Sequence, residues 1–430
     1  MGVVGVAQLM VMLDSTVVNV ALPSIGAELP AGPSALQWTI SANVLMYGSL
    51  LLFGGRVADV LGRRRSFRLG AALLSAAALS IVLAVYQIPQ QRKIALTVWS
   101  GLGVLGATIG VVLGGLMVTA ISWRWAFLIN IPVGVAAFVG ALRTLPALSA
   151  TTARPLRIPT AALATAGLAG LSYGLIRLQD GMTTPAAWIS IGVAAVLLTT
   201  LTMVELSEND PLLPLHLLRI PTYWLASVGL LLAAAVMISS SCLASIYFQQ
   251  VHDMSALAAG LSLLPMGLAS LVVALVVPKL VTALGPGGLY LCGVVAQLIG
   301  AGVLATGTSS VAVTILALAL IGAGLPSCFV PLYGIGSSHV RLQESGVGSV
   351  LLNTFNQTGA ALGIAVIGTV LATTTRGEIS AGASAPDATT TGVGHGFLAL
   401  AVCAAVALVV ALILRHLTRS PQPDTRQPQS

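Results

Sequence analysis

The sequence predicts an all-α polytopic membrane protein. Three observations carry that prediction. The 430 residues are 57% hydrophobic and only 7% charged, with a mean hydropathy of +0.98, whereas a soluble domain carries about 25% charged residues. The apolar runs are continuous rather than alternating, which suits spanning helices and excludes an outer-membrane barrel. The few charges gather between the runs, and arginine dominates them. Forty-six glycines beside 5% aromatics add to this, because small residues let helices pack closely in lipid.

Composition also sets function classes aside. The net charge of +7 is loop arginine, which marks topology rather than a nucleic-acid surface. The four cysteines, Cys242, Cys292, Cys328 and Cys403, sit in apolar runs and read as small packing residues. There is no metal-ligand cluster, phosphate loop or nucleophile constellation in the sequence. The chain therefore reads as a non-enzyme with no metal and no cofactor. No cleavable signal is expected, because the first apolar run starts almost at residue 1.

The first run covers about residues 2–22 and holds Asp14 past its middle. An ionisable group at such depth is costly and marks a functional site by default. Asp14 is thus the candidate for gaining and losing a proton, the plainer alternative being an acid that only fixes helix packing. Asn19 lies near the same face and is a candidate cavity residue. Residues 24–36 read as a Pro/Gly loop, and the second run spans about 37–54, with Trp38 as an interface anchor. Residues 54–68, GGRVADVLGRRRSFR, then place Asp59 among five arginines. Short cytoplasmic loops keep Lys and Arg, so this knot pins its edge to the cytoplasm. Either it is an anchor and nothing more, or its carboxylate and cations lock and release as helices move.

The pattern Gly55-x-x-x-Asp59-x-x-Gly62-Arg63-Arg64-Arg65 resembles the signature loop between the second and third spans of the major facilitator superfamily. Residues 13–23, LDSTVVNVALP, resemble the first-span motif of its fourteen-span drug:proton antiporter subgroup. The resemblance runs over nearly the whole chain. It implies a two-bundle helical fold with an extra central helix pair. It also implies a cytoplasmic gate at Gly55, Asp59, Gly62, Arg63 and Arg64, and proton or substrate coupling at Asp14.

Residues 67–87 break the family pattern. One apolar run stands there, about long enough for one span. It opens as the family's third span opens and continues, GAALLSAAALSIV, like the second half of the fourth. The arginine of the family's Arg-x-x-Gln-Gly pattern, associated with proton coupling, is absent. Arg63–Arg65 before the run and Arg92 and Lys93 after it both prefer the cytoplasm. Three readings stand open: the run does not cross, everything after it is inverted, or the chain is a deleted version of a working transporter.

The next run, about 94–121, repeats Gly106, Gly110 and Gly114, with Gly115 beside them. Glycine every fourth residue bares one helix face for close approach. This resembles the family's fifth-span antiporter motif, with Val111 where that motif has proline. Residues 123–125 make an interfacial turn, and 126–142 form the next run. A polar linker at 143–159 and runs at 160–176 and 188–204 resemble the additional helix pair. Later runs are expected at about 223–247, 256–277, 289–305, 311–332, 346–372 and 397–414, with loops at 278–288 and 373–396, the latter flexible. Asn353, Asn356 and Gln357 are candidate cavity residues, because amides in a span either bind across helices or line a cavity.

Counting gives about thirteen spans. The expected organisation is a reduced amino-terminal bundle (1–142), a linker with the extra pair (143–221), a carboxy-terminal six-helix bundle (222–416) and a disordered tail (417–430). The resemblance implies export of hydrophobic or cationic small molecules such as drugs, dyes and antibiotics, by alternating access in exchange for protons. The proton gradient would be the energy source. The expected setting is a monomer in a bacterial cell membrane, with lipid, proton and substrate as partners and no nucleic acid. The alternative is a truncated or decayed paralogue that inserts without transporting.

Overall fold

The computed structural model of the chain describes residues 5, 10, 17, 21, 25, 28, 106, 110, 113, 114, 116–118, 120–144, 158–177, 184–207, 215–307, 310–338, 340 and 345–419. Among them the chain is helical, joined by short turns, without a strand. After a short turn of helix at Trp125–Leu128 come α1 (Asn130–Thr144), α2 (Ile158–Arg177) and α3 (Pro185–Ser207). They are followed by α4 (Pro221–Ile246), α5 (Ala256–Ala305), α6 (Val311–Ser338), α7 (Ser345–Ser380) and α8 (Ala385–Arg419).

Among the described residues six helices are long and apolar enough to cross a membrane. One of them is α5, whose fifty residues would extend about 75 Å at 1.5 Å per residue. That is twice a bilayer core, and the helix is in fact two, broken at Gly285 where φ is 71°. Only glycine takes that conformation readily. The loop expected at 278–288 is therefore a single break. The helix runs on through Pro278 because the residues around it still meet helical bonding needs; Thr282 Oγ1, for example, donates to the Lys279 carbonyl at 2.7 Å.

The loop expected at 373–396 is also replaced. α7 continues to Ser380, the chain turns at residues 381–384 with Gly382 at φ 96°, and α8 starts at Ala385. Ser384 makes the cap: its hydroxyl accepts from the Asp387 N–H at 3.3 Å and donates to the Asp387 carboxylate at 2.6 Å. The threonines that suggest a loop close on their own helix instead. Thr369 and Thr373 donate to carbonyls four residues back at 2.8 Å, as do Thr389 and Thr390. At the far end α8 carries Leu417 and Thr418 as helix through Arg419. Near the amino terminus, Ile25 and Glu28 are helical, beyond the Pro23 end expected of the first run.

Packing follows the glycines. α2 and α3 form an antiparallel pair in which Gly170 accepts a 2.8 Å hydrogen bond from Ser190, and a Cβ on Gly174 would sit 2.9 Å from the Ala187 carbonyl oxygen. α4 packs against α6, α7 and α8; α5 packs against α6 and α8; α2 touches α7. One core cluster gathers Tyr223, Tyr290, Leu352 and Leu414 with Ala164 and Leu201 of the helix pair, and a second gathers Phe248, Leu263, Ile321 and Phe397. Large apolar side chains such as Leu275 and Leu316 stay exposed on the outside, as lipid-facing positions require.

Candidate functional site

The sequence singles out residues in four places, and the structure describes candidate residues in two of them. Gly106, Gly110 and Gly114 are helical and buried. A Cβ on Gly114 would lie 3.1 Å from the Val17 Cα, closer than ordinary packing. Val17 and Ala21 are fully buried. Gly114 thus lies against the first helix, at the residue three positions after Asp14 in sequence. Asp14 itself, Asn19, Gly55, Asp59, Gly62, Arg63, Arg64 and Gly115 lie outside the described residues, as does the broken run at 67–87.

At the outer end expected for that helix, Glu28 meets the turn after the glycine-rich run. Arg124 Nη1 donates to Glu28 Oε1 at 2.8 Å, the Trp123 indole N–H donates to Oε2, and the guanidinium stacks over the Trp123 ring at 4.5 Å. The Arg124 hydrogen bond, with the indole's behind it, holds the Glu28 carboxyl below its usual range. A carboxylate depressed on folding stabilises above its unfolded pKa of about 4.3, and that contribution is lost as pH falls through the lower folded value. The thermal midpoint of the wild type is therefore expected to exceed that of Arg124→Ala by a small, constant gap between about pH 5 and 7. The gap should close at lower pH and shrink with added salt, since both side chains are about half exposed. A gap that widened on acidification would rule the tie out.

In the carboxy-terminal helices, α6 and α7 bring amides and aromatics together. The Tyr333 hydroxyl donates to Asn353 Oδ1 at 3.3 Å. One turn on, Asn356 and Gln357 are half-buried. Phe355 meets Trp224 of α4 edge to face, with centroids 5.7 Å apart. The buried Tyr223 hydroxyl donates to the Gly348 carbonyl at 2.8 Å. Asn353 is therefore committed to a cross-helix bond, while Asn356 and Gln357 keep a partly open, uncharged amide surface. Pro326 and Pro331 lie inside α6 alongside, and each removes one helix hydrogen bond from it.

Some polar positions went unnoticed in the sequence. Glu205 is 2% exposed in the last turn of α3, one residue beyond the run expected at 188–204. Its signal is the seven-residue spacing Ala187, Ala194, Leu201, with Glu205 one turn later on the same buried face. Tyr290 and Gln297, seven apart on the second half of α5, are 0% and 1% exposed. They lie beside Gly293 and Gly324, whose backbones meet so closely that a Cβ on either would fall within 2.8 Å of the other's carbonyl oxygen. Among the described residues no group of His, Cys, Asp and Glu could hold a metal ion.

A bundle of long apolar helices, packed through glycine and kinked by proline around amide positions, defines a polytopic membrane transporter of the two-bundle class. The chain belongs to the Major Facilitator Superfamily, whose profile matches residues 4–89 and 69–364. The two matches overlap over 69–89, the stretch where third- and fourth-span features are joined. The puromycin resistance protein of Streptomyces alboniger is 30% identical over 95% of this chain and 88% of its own length. The cephamycin export protein of Amycolatopsis lactamdurans is 31% identical over 97% of this chain and 92% of its own. Both alignments, at 453 and 461 positions, are longer than this 430-residue chain, so each relative carries residues that this chain lacks. The xylose transporter XylE of E. coli, in a partially occluded inward-open conformation, shares the fold, with a TM-score of 0.58 over all of this chain and 98% of that one at 11% identity.

Proposed function

We propose that this chain exports hydrophobic or cationic small molecules, antibiotics among them, across a bacterial cytoplasmic membrane in exchange for protons. The observation that carries the reading is the similarity, along almost the whole chain, to proteins named for puromycin resistance and cephamycin export. In this reading a monomer rocks its two bundles around a midplane site, open to each side in turn. Asp14 takes a proton from outside and releases it inside. The glycine face at Gly106, Gly110 and Gly114 lets the neighbouring helix sit close enough to follow that change. Gly55, Asp59, Gly62, Arg63 and Arg64 close the cytoplasmic side, and Asn19, Asn356 and Gln357 offer hydrogen bonds to an uncharged part of the substrate. The proton gradient supplies the energy, without a cofactor.

A second reading rests on residues 69–89 and on the length the relatives have in excess: a shortened paralogue that inserts but does not transport. One experiment separates the two. Expressed in a pump-deficient bacterial host, the chain is expected to raise the inhibitory concentrations of several lipophilic dyes and antibiotics several-fold. No protection against any compound, with the protein present in the membrane fraction, selects the second reading.

A further inference from the structure

The carboxylates of helices α4 to α8 and their turns, among the described residues, gather at one end, where Arg376 of α7 stands beside them. Asp253, after α4, Glu378, near the end of α7, and Asp387, at the start of α8, share the end at which those helices turn. α4, α5 and α6 contain no carboxylate at all. Arg415 lies near the opposite end of α8, about 42 Å along the helix from Asp387 at 1.5 Å per residue. Its end is the one the arginine bias assigns to the cytoplasm.

Arg415 is not splayed into water like an ordinary topological arginine. Its Nε is buried and has no acceptor among the described residues. The break in α5 lies against the backbone at its position. Gly285 turns the chain, and Gly287 brings the start of the second half so close that a Cβ there would lie 2.8 Å from the Arg415 Cα and 2.6 Å from Thr418 Oγ1. Lys279 stands exposed one and a half turns before the break. A partly buried guanidinium with an unmet donor is costly, and no acid on the helices packed around it offsets that cost. An anion would meet that donor, and at a membrane edge the abundant anion is a phosphodiester.

We propose that the cleft between the Gly285 turn and the end of α8 binds the headgroup phosphate of an anionic phospholipid of the cytoplasmic leaflet, with Arg415 as its anchor. Arginine suits the task because its planar fork meets two phosphate oxygens at once, whereas lysine offers a point charge. Basic pockets between spanning helices on the cytoplasmic side fit such headgroups by charge and position. Lys279 adds attraction without enclosing the ligand.

The full chain in nanodiscs of phosphatidylcholine, with or without phosphatidylglycerol, tests this. Phosphatidylglycerol is expected to raise the thermal midpoint of the wild type, and native mass spectrometry to find it retained. Arg415→Gln should lose that increment and retain the lipid about tenfold less, the factor that corresponds to 1.4 kcal/mol. It should still match the wild type in phosphatidylcholine alone. Arg415→Lys should fall between, and it keeps the test open if the glutamine variant does not fold; Lys279→Gln should change retention little. Equal retention by Arg415→Gln would overturn the site. So would equal destabilisation in both lipids, which would mean that a group of the protein itself, outside the described residues, holds the guanidinium. Stabilisation by inorganic phosphate as large as that by phosphatidylglycerol would overturn the lipid assignment.

Discussion

Gly359→Ala is expected to lower the stability of the protein by about 3 kcal/mol or more, at the upper end of overpacking costs. The reason is geometric. A Cβ at residue 359 would stand 2.0 Å from the Leu231 carbonyl oxygen and 2.6 Å from the Leu231 carbonyl carbon and Cα. All three atoms are backbone of α4, so no rotamer change relieves the clash. α7 would have to move away from α4, and Gly363, four residues on and 2.7 Å by the same measure from the Ala235 Cα, would move with it. Gly377 is the control on the same helix: a Cβ there meets nothing within 4 Å. Gly377→Ala should be neutral or stabilising by up to about 1 kcal/mol, from helix propensity. Thermal unfolding of the two variants in one detergent decides the matter, and equal midpoints would mean that the α4–α7 contact is looser than described.

The same pair of glycines shows what the sequence reveals and what it hides. Four-residue glycine spacing at Gly106, Gly110 and Gly114, or at Gly359 and Gly363, is legible because a bare stripe on one face has few purposes in a membrane helix. Which helix fills the stripe is a tertiary fact. Nothing in the sequence ties Gly114 to Val17, or Gly359 to Leu231. Helix ends were misjudged for a related reason. Residues 373–396 look like a loop by composition, since threonine and glycine are common in loops, yet the hydroxyls of Thr373, Thr389, Thr390 and Thr391 close on carbonyls of their own helices. Pro278 looks like a stop, yet the break falls seven residues later, at Gly285, the residue inside α5 with positive φ. Enclosure is the hardest to read: the charge of Glu205 argues against burial, its spacing argues for it, and only packing shows that it is buried.

Asp14→Asn is expected to reduce proton-driven export to background while leaving the protein folded. Asparagine keeps the size and one hydrogen-bonding oxygen of aspartate but cannot exchange a proton. The family's usual arginine, which precedes the Gly-Ala-Ala run at Gly70-Ala71-Ala72, is absent here, so under the proposed exchange more of the coupling is expected to fall on Asp14. Its neighbours in sequence locate the helix: Met10 is half-buried, and Val17 and Ala21 are buried, all at three-, four- and seven-residue spacing from Asp14, the spacing of one helix face. The measurement uses everted vesicles, a fluorescent cationic dye and an imposed pH gradient. Wild-type vesicles should accumulate the dye and release protons when it is added. Asp14→Asn vesicles should do neither, and Asp14→Glu should recover part of both, because a carboxylate returns on a longer arm. The pH dependence has a definite sign: wild-type transport should rise with the gradient, and the residual transport of the asparagine variant should be flat. Full, gradient-dependent accumulation by Asp14→Asn would remove this residue from the coupling mechanism and turn attention to the buried Glu205 as the remaining enclosed acid among the described residues.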